Sequence, residues 1–271
     1  MRLASGNVAV VTGAASGIGL ALCRRFAALG LAVVMADVDR LRLPLAADLV
    51  AEDGDADVLP VVVDVRSWDE VEALEARVVD RFGSVHVLCN NAGVQLPGRT
   101  WEFTRQEWEW VLGVSLGGVV HGVQAFLPGM VARGEEAHVV NTASVAGLLA
   151  FPGLTPYTTA KFGIVGLSEG LRNDLREEGL PIGVSVLCPG PPESALRENS
   201  RLLRPGGVDG KPIGLVTDRR RTPADDIAAQ FVEAVRDDRF WVLTHPEYAP
   251  QIDERHRALI DSGDSVAPQV V

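Results

Sequence analysis

Tyr157 and Lys161 stand four residues apart, in the run Tyr157-Thr158-Thr159-Ala160-Lys161. On a helix this spacing puts both side chains on one face, a turn apart. A free phenol exchanges its proton only near pH ~10, too high for acid–base work at neutrality. A nearby ammonium favours the phenolate and lowers that value. The pair can therefore give and take a proton at working pH. Upstream, Asn141-Thr142-Ala143-Ser144 offers the Ser144 hydroxyl, suited to holding a substrate oxygen. Tyr-x-x-x-Lys alone also occurs on solvated helix faces, so the chemistry has to be argued from the elements around it.

The first of these elements is a glycine turn. Val8 to Val11 reads as a short strand buried on both faces. It runs into Thr12-Gly13-Ala14-Ala15-Ser16-Gly17-Ile18-Gly19, which opens a helix to about Leu29, with Gly30 as its stop. Glycines between a strand and a helix let the backbone approach a pyrophosphate, and the helix N-terminus supplies N–H donors and positive potential. The spacing here is G-x-x-x-G-x-G rather than G-x-G-x-x-G. A second strand, Leu31 to Ala36, ends at Asp37, whose carboxylate can accept both hydroxyls of an adenosine ribose and would repel a 2′-phosphate. Asp37 therefore favours NAD over NADP, although Arg40 is close enough to leave NADP open. Asp64, at the end of a third strand (Val58 to Val63), suits either a bond to an adenine amino group or a cap on the next helix. Asn90, past a fourth strand (Val85 to Cys89), suits either the wall of a cofactor cleft or the stabilisation of a turn.

Strand and helix patterns continue to alternate. Ser67 and Glu70 form a capping-box pattern before a helix ending near Gly83. A long helix is expected from about Thr104 to Arg133, rich in glycine between Gly113 and Gly122, where close packing must offset poor propensity. Then follow a strand (His138 to Asn141), the helix carrying Tyr157 and Lys161 (Pro156 to about Glu178), a strand (Ile182 to Leu187), a helix opened by Thr222-Pro223, and a strand (Phe240 to Leu243). The pattern breaks in residues 191–221, rich in Arg, Pro and Gly, which reads as a lid or substrate-binding loop. Residues 245–271 read as a mostly helical C-terminal extension. Such alternation means an α/β fold, a doubly wound parallel sheet in a single domain spanning 1–271. Ligands of such sheets bind beyond the carboxyl ends of the strands.

Composition narrows the partners. A net charge of −11 argues against nucleic acid and acidic membranes, which need basic patches. Cys23, Cys89 and Cys188 lie far apart in apolar runs and read as buried reduced thiols, consistent with a cytoplasmic protein. No leader pattern precedes the first strand, and no apolar run is expected to span a bilayer. The five histidines have no metal spacing, so no metal is expected. Trp101, Phe103, Trp108 and Trp110 read as core or subunit contacts.

In combination these motifs resemble the classical short-chain dehydrogenases/reductases. The resemblance rests on Thr12-Gly13-(x)3-Gly17-Ile18-Gly19, Asp64, Asn90-Asn91-Ala92-Gly93, Ser144, Tyr157-(x)3-Lys161 and Pro189-Gly190, and covers Val8 to about Val242. It implies a Rossmann-type sheet of seven strands in order 3-2-1-4-5-6-7 and a homotetramer or homodimer. It implies Tyr157 as acid/base, Ser144 on the substrate oxygen, and Lys161 lowering the tyrosine pKa and bonding the nicotinamide ribose. Cofactor contacts would come from Gly13, Ser16, Gly17, Ile18, Gly19, Asp37, Asp64, Val65, Asn91, Ala92, Gly93, Tyr157, Lys161, Pro189, Gly190, Pro192 and Ser194.

Two departures stand out. Ser115, in Val114-Ser115-Leu116-Gly117-Gly118, replaces the asparagine that is the family's fourth catalytic member. After Pro189-Gly190, the family's aliphatic residue that clasps the nicotinamide carboxamide is replaced by Pro192, which has no N–H, and Ser194 stands for a threonine. The sequence thus implies hydride transfer between NAD(H) and a mostly apolar secondary alcohol or ketone, motivated by Leu148, Leu149, Phe151, Pro152 and Leu154. A nucleotide-binding sensor or scaffold with little turnover, and an NADP-dependent ketone reductase, are the alternatives.

Overall fold

Short valine-rich runs become strands where helices can cover both of their faces. The computed structural model describes residues 1–192, 196–206, 221–261, 263–265 and 268. Its elements run β1 (Val8–Thr12), α1 (Gly17–Ala28), β2 (Ala32–Asp37), α2 (Arg42–Ala51), β3 (Val58–Val62), α3 (Trp68–Phe82) and β4 (Val87–Asn90). Then come α4 (Arg105–Leu112), α5 (Gly118–Arg133), β5 (Ala137–Thr142), α6 (Thr155–Glu177), β6 (Ile182–Cys188), α7 (Leu196–Leu203), α8 (Ala224–Arg236), β7 (Trp241–Leu243) and α9 (Ala249–Ile260).

The strands form one parallel sheet in the order β3-β2-β1-β4-β5-β6-β7, as the resemblance implied. Strands β1, β4 and β5 are buried along their whole length. Edge strand β3 alternates instead and tolerates Pro60, which costs least at an edge. Helices α1, α2 and α8 cover one face, packing Phe26, Val50 and Phe231. Helices α3, α5 and α6 cover the other, with Leu74, Phe126 and Leu171. Strand order reverses between β1 and β4, where the carboxyl ends open a crevice.

The sequence reading needs correction in several places. Ser67 does accept a bond from the Glu70 amide, but Glu70 does not return it. Its carboxylate accepts from the Asp64 amide at 2.8 Å, so the capping box is half made. The long helix is interrupted: a single π-helical stretch, Gly113–Gly117, separates α4 from α5. The glycines there do permit close packing. A Cβ on Gly118 would lie 2.7 Å from Val65 Cγ2, and one on Gly122 would overlap Asn90 Oδ1. Residues Arg105–Arg133 are long and apolar enough, by length and composition, to span a bilayer, contrary to the expectation that no run would be. The C-terminal part of this stretch packs against Val65, Asn90 and α3 on one face of the sheet. The stretch 191–221, read as a lid or substrate-binding loop, contains α7. Its inward face carries Leu196, Asn199 and Leu203 at helical spacing, too short a pattern to stand out among prolines and arginines.

Replacing Gly122 by Ala forces Asn90 out of its bond to Asn141, and overpacking of this kind costs ~1–3 kcal/mol. Urea denaturation of Gly122→Ala should show that loss. An unchanged midpoint would mean that α5 is less tightly seated on β4 than the geometry indicates.

Candidate active site

The crevice is held open by one threonine and one asparagine. At the end of β1, Thr12 Oγ1 accepts from the amides of Asn91 (2.9 Å) and Ala92 (3.0 Å) and donates to Cys89 O at 3.4 Å. The Asn91 side chain returns the bond, its Nδ2 donating to Thr12 O at 3.0 Å, and its Oδ1 accepts from the Thr142 hydroxyl at 3.4 Å. The ends of β1, β4 and β5 are thus tied together. Gly13 turns with φ +66°, and a Cβ there would sit 2.9 Å from Ala92 Cα. Gly19 faces inward, with no room for a Cβ beside the Gly13 carbonyl.

The resulting cleft, about 250 Å³, brings together Gly13, Ser16, Gly17, Ile18, Asp37, Asp64, Val65, Asn91, Ala92, Gly93, Ser144, Tyr157, Lys161, Pro189, Gly190 and Pro192. Gly19 and Ser115 do not line it, and Ser194 lies outside the described residues. Asn90 is buried behind the wall, donating to Asn141 Oδ1 at 2.9 Å. At one end, the Asp37 carboxylate accepts from the amides of Ala15 and Asp39, each at 2.9 Å. Helix α1 begins there with no side-chain cap and no acidic residue in its first turn. An uncapped helix N-terminus beside a turn with no Cβ suits a diphosphate, and a strand-end carboxylate suits a ribose. The residues present therefore fit a dinucleotide. Asp64 is chelated by Arg66 at 2.6–3.0 Å, which holds its carboxyl below the usual range. Arg40 makes no ion pair among the described residues; Arg42 does, lying 3.6 Å from Asp39 and donating to Asn199 Oδ1 at 2.5 Å.

At the other end, α6 presents Tyr157 and Lys161 inward. Tyr157 and Ser144 line the cleft together, and Ser144 favours the ionised form of the phenol. Ser144 Oγ also accepts from the Ala146 amide and donates to Pro189 O at 3.3 Å. Lys161 Nζ donates to Thr142 O at 2.7 Å and lies 5.4 Å from the Tyr157 ring centroid. Burial pulls the lysine down to about 7. It pushes the phenol up to about 12, with the Ser144 hydroxyl opposing. The expectation was a lowered tyrosine value; burial acts in the opposite direction.

Other expectations shift as well. Leu149, Phe151 and Leu154 pack into a core cluster with Tyr248, and Pro152 is exposed, so this run does not form the cleft wall. The apolar wall comes from Val94, Trp110, Val114, Leu196 and Leu203. Trp110 thus reaches the cleft, whereas Trp101 is 81% exposed. The Ser115 hydroxyl accepts from Val94 N and donates to Val94 O, both at 3.1 Å. Sequence reasoning missed His245, which bonds the Gly190 amide across 55 residues; no local pattern could have announced it.

The sequence model of the family described as short chain dehydrogenase matches residues 7–203. The chain belongs to that family. A short-chain dehydrogenase/reductase from Burkholderia phymatum, solved in complex with NAD, shares 36% identity and superposes with a TM-score of 0.92 over 100% of both chains. A Streptomyces arenae relative named 1-deoxy-11-beta-hydroxypentalenate dehydrogenase is 38% identical, covering 89% of this chain and 83% of its own. One from Lactiplantibacillus plantarum, named CLA biosynthesis dehydrogenase/reductase, is 32% identical over 97% of this chain and 96% of its own. This short-chain dehydrogenase/reductase is therefore an oxidoreductase acting on CH–OH groups with a nicotinamide cofactor.

The lysine has a measurable signature. Between pH ~7 and pH ~10 the folded protein has released a proton that the unfolded chain still holds, so stability rises with pH in that window. Lys161→Met removes this contribution. Urea midpoints should climb from pH ~7 to pH ~9 more steeply in the parent than in Lys161→Met; parallel slopes would show that the amine is not desolvated.

Proposed function

We propose that the cleft takes NAD(H) in preference to NADP(H) and oxidises a mostly apolar secondary alcohol, or reduces its ketone, through Ser144, Tyr157 and Lys161. The observation that carries this is the meeting of Ser144 and Tyr157 at the cleft wall, with the Lys161 amine buried 5.4 Å from the Tyr157 ring centroid. The nicotinamide ring, when bound, supplies or accepts the hydride. Tyr157 Oη gives its proton to the substrate oxygen in reduction and takes it in oxidation, while Ser144 Oγ donates to the same oxygen. Lys161 Nζ, already oriented by Thr142 O, stabilises the phenolate and offers its remaining protons to a ribose hydroxyl.

Asp37 supports NAD, because a 2′-phosphate would meet its carboxylate. The two amide donors on Asp37 make it a fixed acceptor for ribose hydroxyls. Arg42, rather than Arg40, is the guanidinium nearest in sequence with partners at that end, and its bonds to Asn199 and Asp39 commit it elsewhere. Val94, Trp110, Val114, Leu196 and Leu203 support an apolar substrate. The relative named for a hydroxypentalenate is in keeping with a hydroxylated substrate.

Pro192, with no N–H, favours a second reading, a binding protein with little turnover. Ser115 supports it less, since its hydroxyl is engaged with Val94 behind the cleft wall. NADH formation from NAD over a panel of apolar secondary alcohols separates the two. Turnover should fall by at least ~100-fold in Tyr157→Phe, and NADP in parallel should be the poorer cofactor. Tight NADH binding without turnover on any alcohol or ketone would favour the second reading, and Tyr157→Phe retaining full activity would remove Tyr157 from the mechanism. In Asp37→Ala the preference for NAD over NADP should shrink by about tenfold; an unchanged ratio would place the discrimination outside β2.

A further inference from the structure

The Pro189–Gly190 peptide unit lies in the cleft wall and is gripped from both sides. Its carbonyl accepts from the Val145 amide at 3.0 Å and from Ser144 Oγ at 3.3 Å. Its N–H donates to His245 Nδ1 at 3.0 Å. The imidazole lies against Gly190, where a Cβ would come within 2.6 Å of His245 Cγ. A backbone N–H can only donate, so Nδ1 must be the acceptor and the ring is the neutral Nε2–H tautomer. Nε2–H then donates to Thr222 Oγ1 at 2.9 Å. Thr222 is bridged to Pro192, and its amide bonds Pro191 O at 3.3 Å. One buried ring thus ties the point where the chain leaves the sheet after β6 to the point where it returns at Thr222.

We propose that His245 is a positioning residue that clamps Gly190 to Thr222, and so fixes the Pro189–Pro192 wall and Ser144, and that protonation of its ring releases the clamp. The proposal rests on the reading of this cleft as the dinucleotide site. A proton on Nδ1 would set two donors, N–H against N–H, at the Gly190 contact. The Thr244 hydroxyl, 2.8 Å from the same nitrogen, can rotate to accept, but the Gly190 amide has no such freedom. Among the described residues, the groups facing the ring from the ends of β6 and β7 and from the bridge segment are the uncharged Pro189, Gly190, Thr222 and Thr244. Arg221, next to Thr222, is exposed, and Glu247 is the acidic neighbour on the ring's own turn. Burial holds the imidazole below its ordinary value, against the pull of Glu247.

Asparagine at this position places an acceptor near Nδ1 that does not titrate, whereas leucine places none. The dissociation constant for NADH, followed by fluorescence, should weaken about tenfold or more in the parent from pH ~7 to pH ~5. His245→Asn should stay near the parent's neutral value at both pH values, and His245→Leu should be weak at both. Equal pH slopes in parent and His245→Asn, or parent-like affinity in His245→Leu, would overturn the proposal. Cofactor-free parent protein gives a readout that needs no variant. Gly190 amide protection, measured by NMR hydrogen exchange, should fall with the midpoint of the His245 imidazole titration, while β5 amides stay protected. Gly190 protection that persists through that titration would refute the clamp. If NADH binds at no pH, the cofactor reading fails, and the amide measurement still decides the clamp.

Discussion

An amine taken out of water must find oxygen partners or lose its charge, and the placement of Lys161 follows from that rule. Its nitrogen is buried, with Thr142 O at 2.7 Å as its protein partner. That carbonyl is available because Thr142 is the last residue of β5, where the ladder to β4 has already ended at Asn141. The helix bearing the lysine must therefore cross the sheet at this strand end. Gly147 lets it do so: a Cβ there would lie 2.7 Å from Lys161 O, so the turn after Ser144 rests directly on the α6 backbone. This contact sets Ser144 relative to Tyr157 in the cleft wall. Their relative placement thus depends on how the amine is accommodated as much as on the two side chains themselves.

The opposite half of the crevice is fixed by a different device. Thr12 and Asn91 exchange bonds between side chain and backbone across β1 and β4, and Asn91 reaches Thr142 on β5. Thr142 consequently serves both halves, its carbonyl receiving Lys161 and its hydroxyl meeting Asn91. A displacement of β5 by a fraction of an ångström would be felt at the amine and at the glycine turn together.

Local signals carried most of the fold and many of the cleft residues. Strand ends at Asp37, Asp64 and Asn90, and the turn at Gly13, are encoded within a few residues of where they act. What escaped the sequence depends on long-range packing. Nothing near Ser115 announces that its hydroxyl bonds Val94 on both backbone atoms, since that depends on a π-helical turn placing it there. Leu149, Phe151 and Leu154 are apolar enough for a substrate wall, but Tyr248 from the C-terminal segment claims them for the core. Burial raises the tyrosine's proton affinity, opposite to the direction expected from the lysine, because charge proximity is legible in spacing and desolvation is not.

Helix α7 is tied to the rest of the fold by polar side chains. Its contacts reach four separate elements. Asn199 bonds Ser16 at the glycine turn and Arg42 on α2, Ser200 Oγ accepts from the Gln95 amide after β4, and Arg204 just beyond the helix pairs with Glu107 on α4. Glu107 is buried, which would make loss of its cation expensive if the carboxylate had no other partner. It has one: its second oxygen accepts from the Thr104 amide and hydroxyl as the cap of α4. One oxygen of this carboxylate thus serves the residue after α7 and the other the cap of α4. Asn199 reaches Ser16 at the glycine turn while Leu196 and Leu203 line the apolar wall, so one short helix contributes to both ends of the cleft.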